Sequence, residues 1–468
     1  MPKIGLEIHS YLNTKEKLFC RCNAIHGAKF AKPNSNICPI CTAQPGAKPM
    51  SPNKSAVEKV IQICLILKCK INGISGGKLS EGNQAGVLAW QRKHYSWPDL
   101  PKGYQNTLSG SYAIPVGIAG NFLGIKITEA HLEEDPAAWN PETGEIDYNR
   151  SGYPLVEIVT EPDFKNSDEV IEWLKQLTAT LKYLKLIDKN LGIKADVNVS
   201  LPELNGVRVE IKNVNSLRNI KKAIDYEIER QKKSGELAKE QETRMFNESK
   251  NITIRMRTKE KAQDYRFISD PDLPVIKLEK TRVEKIKKEL PETPQEKIGK
   301  LIKKYKIEKK YAEVLAKNLD IAEFFEKIVQ KINSNLAAQW VTGELLSVLN
   351  HNKKELDEVD INPEHFIELL KLLGKNEITE LNAKEILRKF IPESFSPKQY
   401  AEKHSKISSD SEIEKAVDFV IRENPKAVSD FKEGQENALN FLIGKVMAKT
   451  EKRADYKTAR EILERKLR

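Results

Sequence analysis

The sequence predicts an α+β protein: a β-rich mixed domain carrying a four-cysteine zinc module, then an all-α helical domain, then a small all-α tail. Three observations carry this. The chain has 468 residues, more than one core organises, so two to four domains are expected. Through about residue 285 short apolar runs alternate with the strand period, and beyond about 290 the apolar residues recur at helical spacing. Four of the six cysteines fall into two close pairs. The boundaries read from these patterns are 1–290, with the cysteines near 20–41, then 295–404 and 408–468.

Gly5-Leu6-Glu7-Ile8-His9 is an alternating strand with Glu7 and His9 on one face. Cys20-x-Cys22 and Cys38-x-x-Cys41 follow, fifteen residues apart, with a proline inside the second knuckle. In a chain read as cytoplasmic, without a secretory leader, that spacing favours one Zn²⁺ held by Cys20, Cys22, Cys38 and Cys41 over free thiols or disulfides. Four thiolates leave no open position, so the metal is expected to be structural. A helix is expected over 54–68, with Cys64 and Cys69 in the core. Arg92 to Gln105 mixes bases, aromatics and prolines, which suits either a nucleotide or RNA-end pocket or a packed surface loop.

Strand-like runs at 112–118 and 123–128 lead to His131-Leu132-Glu133-Glu134-Asp135-Pro136. Alternation sends Glu133 and Asp135 to one face and Glu134 to the other. Short acidic runs are usually solvated loops. A second strand bearing a carboxylate and an imidazole, Glu7 and His9, favours a hard-cation site instead. Further strands are expected at 154–160, 195–201 and 206–212, the last two as a hairpin. A helix is expected over 166–186 with its cap at Asn166 or Ser167. A basic amphipathic helix begins near Lys221. No Walker A loop and no GxGxxG after a strand is present, so any ATP binds by another solution.

Leu290-Pro291-Glu292-Thr293-Pro294 is a linker. Phe366, Leu369, Leu370 and Leu373 trace one helix face beyond it, and Leu439, Leu442, Ile443, Val446 and Met447 trace another in the tail. The net charge of +11 is compatible with a polyanionic partner, and the basic chain end is where one would bind. No apolar run reaches the ~20 residues of a membrane span.

The blocks Gly5–His9, the four cysteines, Lys93–Gln105, His131–Asp135, Asp147–Arg150, Pro154–Asp163, Glu210–Asn213, Asp264–Phe267 and Phe431–Gly434 stand in the order of a known family. The chain resembles the B subunit of the tRNA-dependent amidotransferases, which convert Glu-tRNA(Gln) and Asp-tRNA(Asn) to Gln-tRNA and Asn-tRNA. It is too short to hold the extra domain of the archaeal E subunit. It departs at Pro136-Ala137-Ala138, where Ala-Gly-Lys is commoner, and at Phe267-Ile268, where Tyr-Phe is usual.

The resemblance implies a cradle-shaped kinase and transferase domain, a helical domain and a tRNA-binding tail. It implies activation of the side-chain carboxylate by ATP and Mg²⁺ as an acyl phosphate, then amidation by ammonia from a glutaminase partner. The partners implied are the amidase A subunit, a small C subunit and the misacylated tRNA, with no membrane. Glu7, His9 and Glu134 are the implied Mg²⁺ ligands, with Glu133 and Glu157 behind them. Lys93 and Tyr95 would contact ATP phosphate or the tRNA 3′ end, and Asp196 and Glu210 would line the cleft or the ammonia entrance. The alternative is a noncatalytic zinc-bearing tRNA-binding scaffold.

Overall fold

The structure is a computed structural model that describes residues 1–24, 32–74, 87–95, 100–111, 113–140, 142–204, 206–233, 241–258, 265–403, 406–407 and 409–467. Ser96–Asp99 of the basic and aromatic stretch, Gly76–Leu79, Tyr112, Asp264, Ser405 and Ser408 lie outside these residues. The chain divides into two compact units, Met1–Pro291 and Glu292–Arg468. Among the described residues no helix is long and apolar enough to cross a membrane.

Among the described residues the first unit has fourteen strands: β1 (Lys3–Tyr11), β2 (Lys70–Ile71), β3 (Gln91–Tyr95), β4 (Gln105–Thr107), β5 (Gly117–Phe122), β6 (Ile125–Glu134), β7 (Ala138–Trp139), β8 (Ile146–Asp147), β9 (Pro154–Thr160), β10 (Lys194–Ser200), β11 (Val209–Asn215), β12 (Glu242–Asn247), β13 (Ile252–Thr258) and β14 (Tyr265–Ser269). Twelve of them form one sheet whose main path runs β13-β12-β11-β10-β1-β9-β6-β4-β3-β14, and β7 pairs β8 apart from it. The pairs are antiparallel except β11 with β12, which the helix α3 (Leu217–Lys232) connects as a parallel pair must be connected.

The period of two decides the faces. On β1, Ile4, Leu6 and Ile8 are buried at 0–1% exposure, and Val156, Ile158, Ala195, Val197, Val199, Val209 and Ile211 continue that core on the neighbouring strands. α3 packs on β10, β11 and β13, and α1 (Lys54–Ile66) packs on β5 and β6. Asn53 caps α1, and Cys64 and Cys69 are buried as the apolar pattern requires. Asn166 caps α2 (Ser167–Tyr183) by accepting from the Glu169 amide, and Asp168 and Glu169 suit its positive end.

Three strand boundaries differ from the sequence reading. The run expected at 112–118 becomes strand only from Gly117, because Pro115 has no amide to give a ladder. The run expected at 123–128 continues through His131, Leu132, Glu133 and Glu134, so the acidic stretch is strand and not loop. Arg92-Lys93-His94, read as loop or pocket by composition, is strand β3 between β4 and β14.

The second unit is helical. Thr293 and Glu296 close a capping box on the helix Pro294–Tyr305, so the Pro-rich linker doubles as a helix start. Two apolar clusters follow. One gathers Phe325, Phe366, Leu369, Leu370 and Phe390. The other gathers Leu439, Leu442, Ile443, Val446 and Met447 with Val417 and Leu463. Thr379 Oγ1 donating to the Lys452 carbonyl at 2.6 Å, and Ile407 N to the Arg453 carbonyl at 3.0 Å, tie the chain around the second cluster to its neighbours.

Candidate metal-binding face and cysteine knuckle

The sheet face opposite the apolar core is ionisable across five adjacent strands. β1 supplies Glu7, His9 and Tyr11. β9 supplies Glu157, β6 His131 and Glu133, β10 Asp196, and β11 Glu210 and Lys212. Register brings them together: His9 pairs with Glu157, Glu157 with His131, and Glu7 with Asp196. Two sets result, His9 with Glu133 and Glu157, and Glu7 with Asp196 and Glu210. In each set one ligand atom per residue lies within 4.8 Å of the others. His9 Nε2 is 3.3 Å from Glu157 Oε2 and 3.6 Å from Glu133 Oε1. His131 Nε2 stands 3.2 Å from the same Glu157 oxygen. Asn198 Nδ2 donates to Glu7 at 3.1 Å, and Lys212 Nζ lies 3.1 Å from Asp196 and 2.8 Å from Glu210.

The electrostatics report crowded negative charge. Burial raises the Glu7 carboxyl, and Glu157, Asp196 and Glu210 raise it further. Burial disfavours the His9 imidazolium, yet the charge and hydrogen bond of Glu157, with Glu133 and Asp196, push it up to about 9. Burial likewise opposes ionised Glu157, but His131 and His9 hold it well below the usual carboxylate range. The protons on the two imidazoles thus do what a cation would do. The donor sets, two carboxylates and an imidazole in one and three carboxylates in the other, fit hard divalent ions.

Above this floor lies a cleft of about 540 Å³ lined by His9, Lys93, Arg150, Lys194 and Lys212 among others. Lys93 is therefore on the cleft wall. Tyr95 ends β3, and its side chain lies outside the described part. Glu134 is elsewhere. It points to the opposite side of β6, is 0% exposed, and receives Lys102 Nζ on both carboxylate oxygens at 2.8 Å and the Asn106 amide at 3.1 Å. Burial raises the Glu134 carboxyl, and Lys102 opposes this. His9 thus meets Glu133 and not Glu134, with Glu157 directly beside it. The sequence reading placed His131 beside the acidic run but gave it no ligand role, and it gave none to Tyr11 or Arg150, which line the cleft. The first two were available by extending the period of two from Glu133 and from His9.

Cys20, Cys22, Cys38 and Cys41 converge with their sulfurs within 4.8 Å of one another. The Cys38 amide donates to Cys41 Sγ at 3.2 Å, and Lys17 Nζ, on a residue 1% exposed, lies 3.5 Å from the same sulfur. The Cys20 thiol donating to it holds Cys41 down to about 4, against its burial, while Cys20 itself is pushed up. Four sulfurs at this spacing fit a tetrahedral Zn²⁺. The knuckle also holds the loop that follows β8. Ser151 Oγ donates to the Cys41 carbonyl at 2.6 Å, the Asn36 amide to Asn149 at 2.9 Å, and the Asn34 amide to Asp147 at 3.0 Å.

The chain matches the model of the GatB/GatE catalytic domain over residues 2–284 and that of the GatB domain over 323–467. It is 42% identical to the B subunit of the aspartyl/glutamyl-tRNA(Asn/Gln) amidotransferase of Methanocaldococcus jannaschii, over 99% of this chain and 98% of that one. It is also 42% identical to the protein of the same name from Methanothermobacter thermautotrophicus, over 99% and 100%. The counterpart in Methanopyrus kandleri is 39% identical over 99% and 98%. Domain matches in both compact units and relatives aligned along nearly their whole length establish that the chain belongs to the GatB family, the B subunits of tRNA-dependent amidotransferases.

Proposed function

We propose that the first unit activates the side-chain carboxylate of Glu-tRNA(Gln) or Asp-tRNA(Asn) with ATP and passes the acyl phosphate to ammonia. The observation that carries this reading is the two sets, one of two carboxylates and an imidazole and one of three carboxylates, side by side on one face, under a cleft walled by Lys93, Arg150, Lys194 and Lys212. In the first step a carboxylate oxygen bonds to the γ-phosphorus as the bond to the bridging oxygen breaks, and ADP leaves with the electron pair. In the second, ammonia bonds to the acyl carbon and phosphate leaves. Both steps crowd anions together, so positioning and charge neutralisation are what a protein must supply.

His9, Glu133 and Glu157 would hold one Mg²⁺, and Glu7, Asp196 and Glu210 a second. Bound there, the ions would neutralise phosphate oxygens in a site that otherwise repels them. The cleft lysines would orient the triphosphate and the tRNA 3′ end, and the zinc-bearing knuckle would act structurally. Ammonia would come from an amidase partner with a small third subunit, as the family's name for this chain as a B subunit supports. The basic tail, 408–468, would grip the tRNA body through phosphate contacts.

The test is ATP cleavage by the assembled enzyme, measured with and without Glu-tRNA(Gln) or Asp-tRNA(Asn), and with ammonium in place of glutamine. Cleavage that depends on the misacylated tRNA is expected. Removal of the tail should raise KM for that tRNA with a smaller effect on kcat. Tight tRNA binding with no ATP cleavage would leave the noncatalytic scaffold as the correct reading.

A further inference from the structure

We propose that Arg150 is a catalytic residue of the phosphoryl step, its guanidinium binding the oxygens of the phosphoryl group in transit, with Asp135 and Tyr11 as its positioning residues. The inference rests on the ATP-dependent reading above.

Arg150 stands on the common wall of two cavities. One is the cleft of about 540 Å³, and the other is a neighbouring cavity of about 710 Å³; Tyr11 and Lys194 share that wall. A ligand occupying both cavities would lie against the guanidinium, since Tyr11, Arg150 and Lys194 border both. A triphosphate, which joins a nucleoside to the reacting phosphorus, is such a ligand.

The side chain is aimed by what surrounds it. Arg150 Nε lies 3.2 Å from Asp135 Oδ1, an ion pair without hydrogen-bond geometry, and Nη2 donates to the Ala137 carbonyl at 3.1 Å. Asp135 is hydrogen-bonded on both oxygens in turn. Tyr11 Oη donates to Oδ2 at 2.5 Å, and the Ala137 amide donates to Oδ1 at 2.9 Å. Its side chain is 5% exposed while that of Arg150 is 38% exposed. The carboxylate is therefore the buried anchor and the guanidinium the presented group. Among the described residues, Nη1 has no partner. The backbone at Ala137 has φ 100°, a region that favours glycine, and the Asp135 and Arg150 contacts hold it there. A simple surface ion pair needs no such anchor.

The placement relative to the carboxylate floor follows from the strands. Tyr11 is two residues beyond His9 on β1, and Asp135 two beyond Glu133 where β6 ends. Two strand residues advance about 7 Å. That step sets the residues that anchor the guanidinium one phosphoryl group's reach from the carboxylate floor. As the acceptor carboxylate bonds to phosphorus and ADP departs, charge spreads over the three equatorial oxygens, and no proton has to move. A planar fork of N–H donors matches those oxygens, whereas a lysine ammonium does not.

The experiment uses the full chain in its assembled enzyme, with Arg150→Gln, Arg150→Lys and Tyr11→Phe. Three quantities are read: tRNA-dependent ATP cleavage, ADP affinity with and without aluminium fluoride as the phosphoryl mimic, and melting temperature. Arg150→Gln should lower kcat for ATP cleavage by about 10³-fold. It should abolish the extra affinity that aluminium fluoride gives while leaving the affinity for ADP alone unchanged. Arg150→Lys keeps a positive charge beside Asp135, so it stays folded even if the Gln variant does not, and it should recover little of the rate. Tyr11→Phe should lower kcat modestly, without raising KM for ATP. A wild-type kcat with a lowered melting temperature would overturn the proposal, as would a change in KM for ATP alone. If the unmodified enzyme cleaves no ATP in response to misacylated tRNA, the functional reading has failed instead.

Discussion

The two metal-type clusters of the first unit are built in opposite ways. The knuckle takes all four ligands from residues 20–41, a single local segment. The carboxylate face takes its six from β1, β6, β9, β10 and β11, as far apart as Glu7 and Glu210, and needs the sheet to exist before it does. A local cluster can be organised by its metal, because closing a short loop costs little. A register-built cluster must be organised by the fold, and its repulsion weakens the fold until a cation or proton relieves it. The first cluster should therefore matter to stability, and the second to chemistry.

The largest expected effect tests that division within two consecutive residues. Glu133→Gln removes the carboxylate charge from the His9 set and should reduce tRNA-dependent ATP cleavage by about 10³-fold, with the melting temperature near that of the unmodified protein. Glu134→Ala leaves the Lys102 ammonium buried without its partner and should cost about 3–5 kcal/mol of stability. Denaturant unfolding of both variants, beside ATP cleavage assays, checks the pair. Equal rate losses at unchanged stability would show that Glu134 acts in the chemistry after all. The next effect concerns the knuckle. Cys38→Ser should lower bound zinc from about one equivalent. It should destabilise by about 4 kcal/mol, the range reached when a structural metal is lost. Turnover below the new melting point should fall much less, and only through the loop that Ser151 and Asn149 tie to the knuckle. Loss of turnover at unchanged stability would break the comparison.

The same contrast explains what could be read from the sequence. Spacing alone named the four cysteines, and helical period alone named the apolar faces at Phe366 and Leu442, because both signals are local. For the carboxylate face the sequence supplied residue types and parity: Glu7 with His9, and Glu133 opposite to Glu134. It did not supply which parity of β6 meets His9. Elsewhere the apolar side of a strand marks the core, but Ala130 through Glu134 are buried on both sides, so that marker vanishes where it is needed. Strand β3 was illegible for a related reason. Gln91-Arg92-Lys93-His94 has no apolar alternation, and it is a strand because β4 and β14 pair with it. Arg150 was present in a recognised block, but its place beside Asp135 and Ala137 depends on a loop held both by the knuckle and by the end of β6, contacts distant in sequence.

The smallest effect is a difference of slopes. Metal ligands must be deprotonated, so a metal competes with whatever protons its site holds. His9 holds one, with its value pushed up to about 9. Between pH 6 and 8, Mg²⁺ affinity at the His9, Glu133 and Glu157 set should rise about tenfold per pH unit, then level off above about 9 as the imidazole empties. The sign for the metal-free protein is the reverse. A folded value raised above the ordinary 6.5 gives stability that is fully present below 6.5 and is lost as the pH rises through about 9. At the knuckle Cys41, held to about 4, is already a thiolate, but Cys22 is pushed up to about 11 by burial and Cys20 is also raised. At least two protons must leave there, so zinc affinity should rise about a hundredfold or more per pH unit over the same range. Calorimetric titrations in buffers of different ionisation enthalpy count the released protons directly. Near one for Mg²⁺ and two or more for Zn²⁺ is the expected result. A Mg²⁺ affinity that stays flat from pH 6 to 8 would remove His9 from the ligand set and leave the ion to the carboxylates alone.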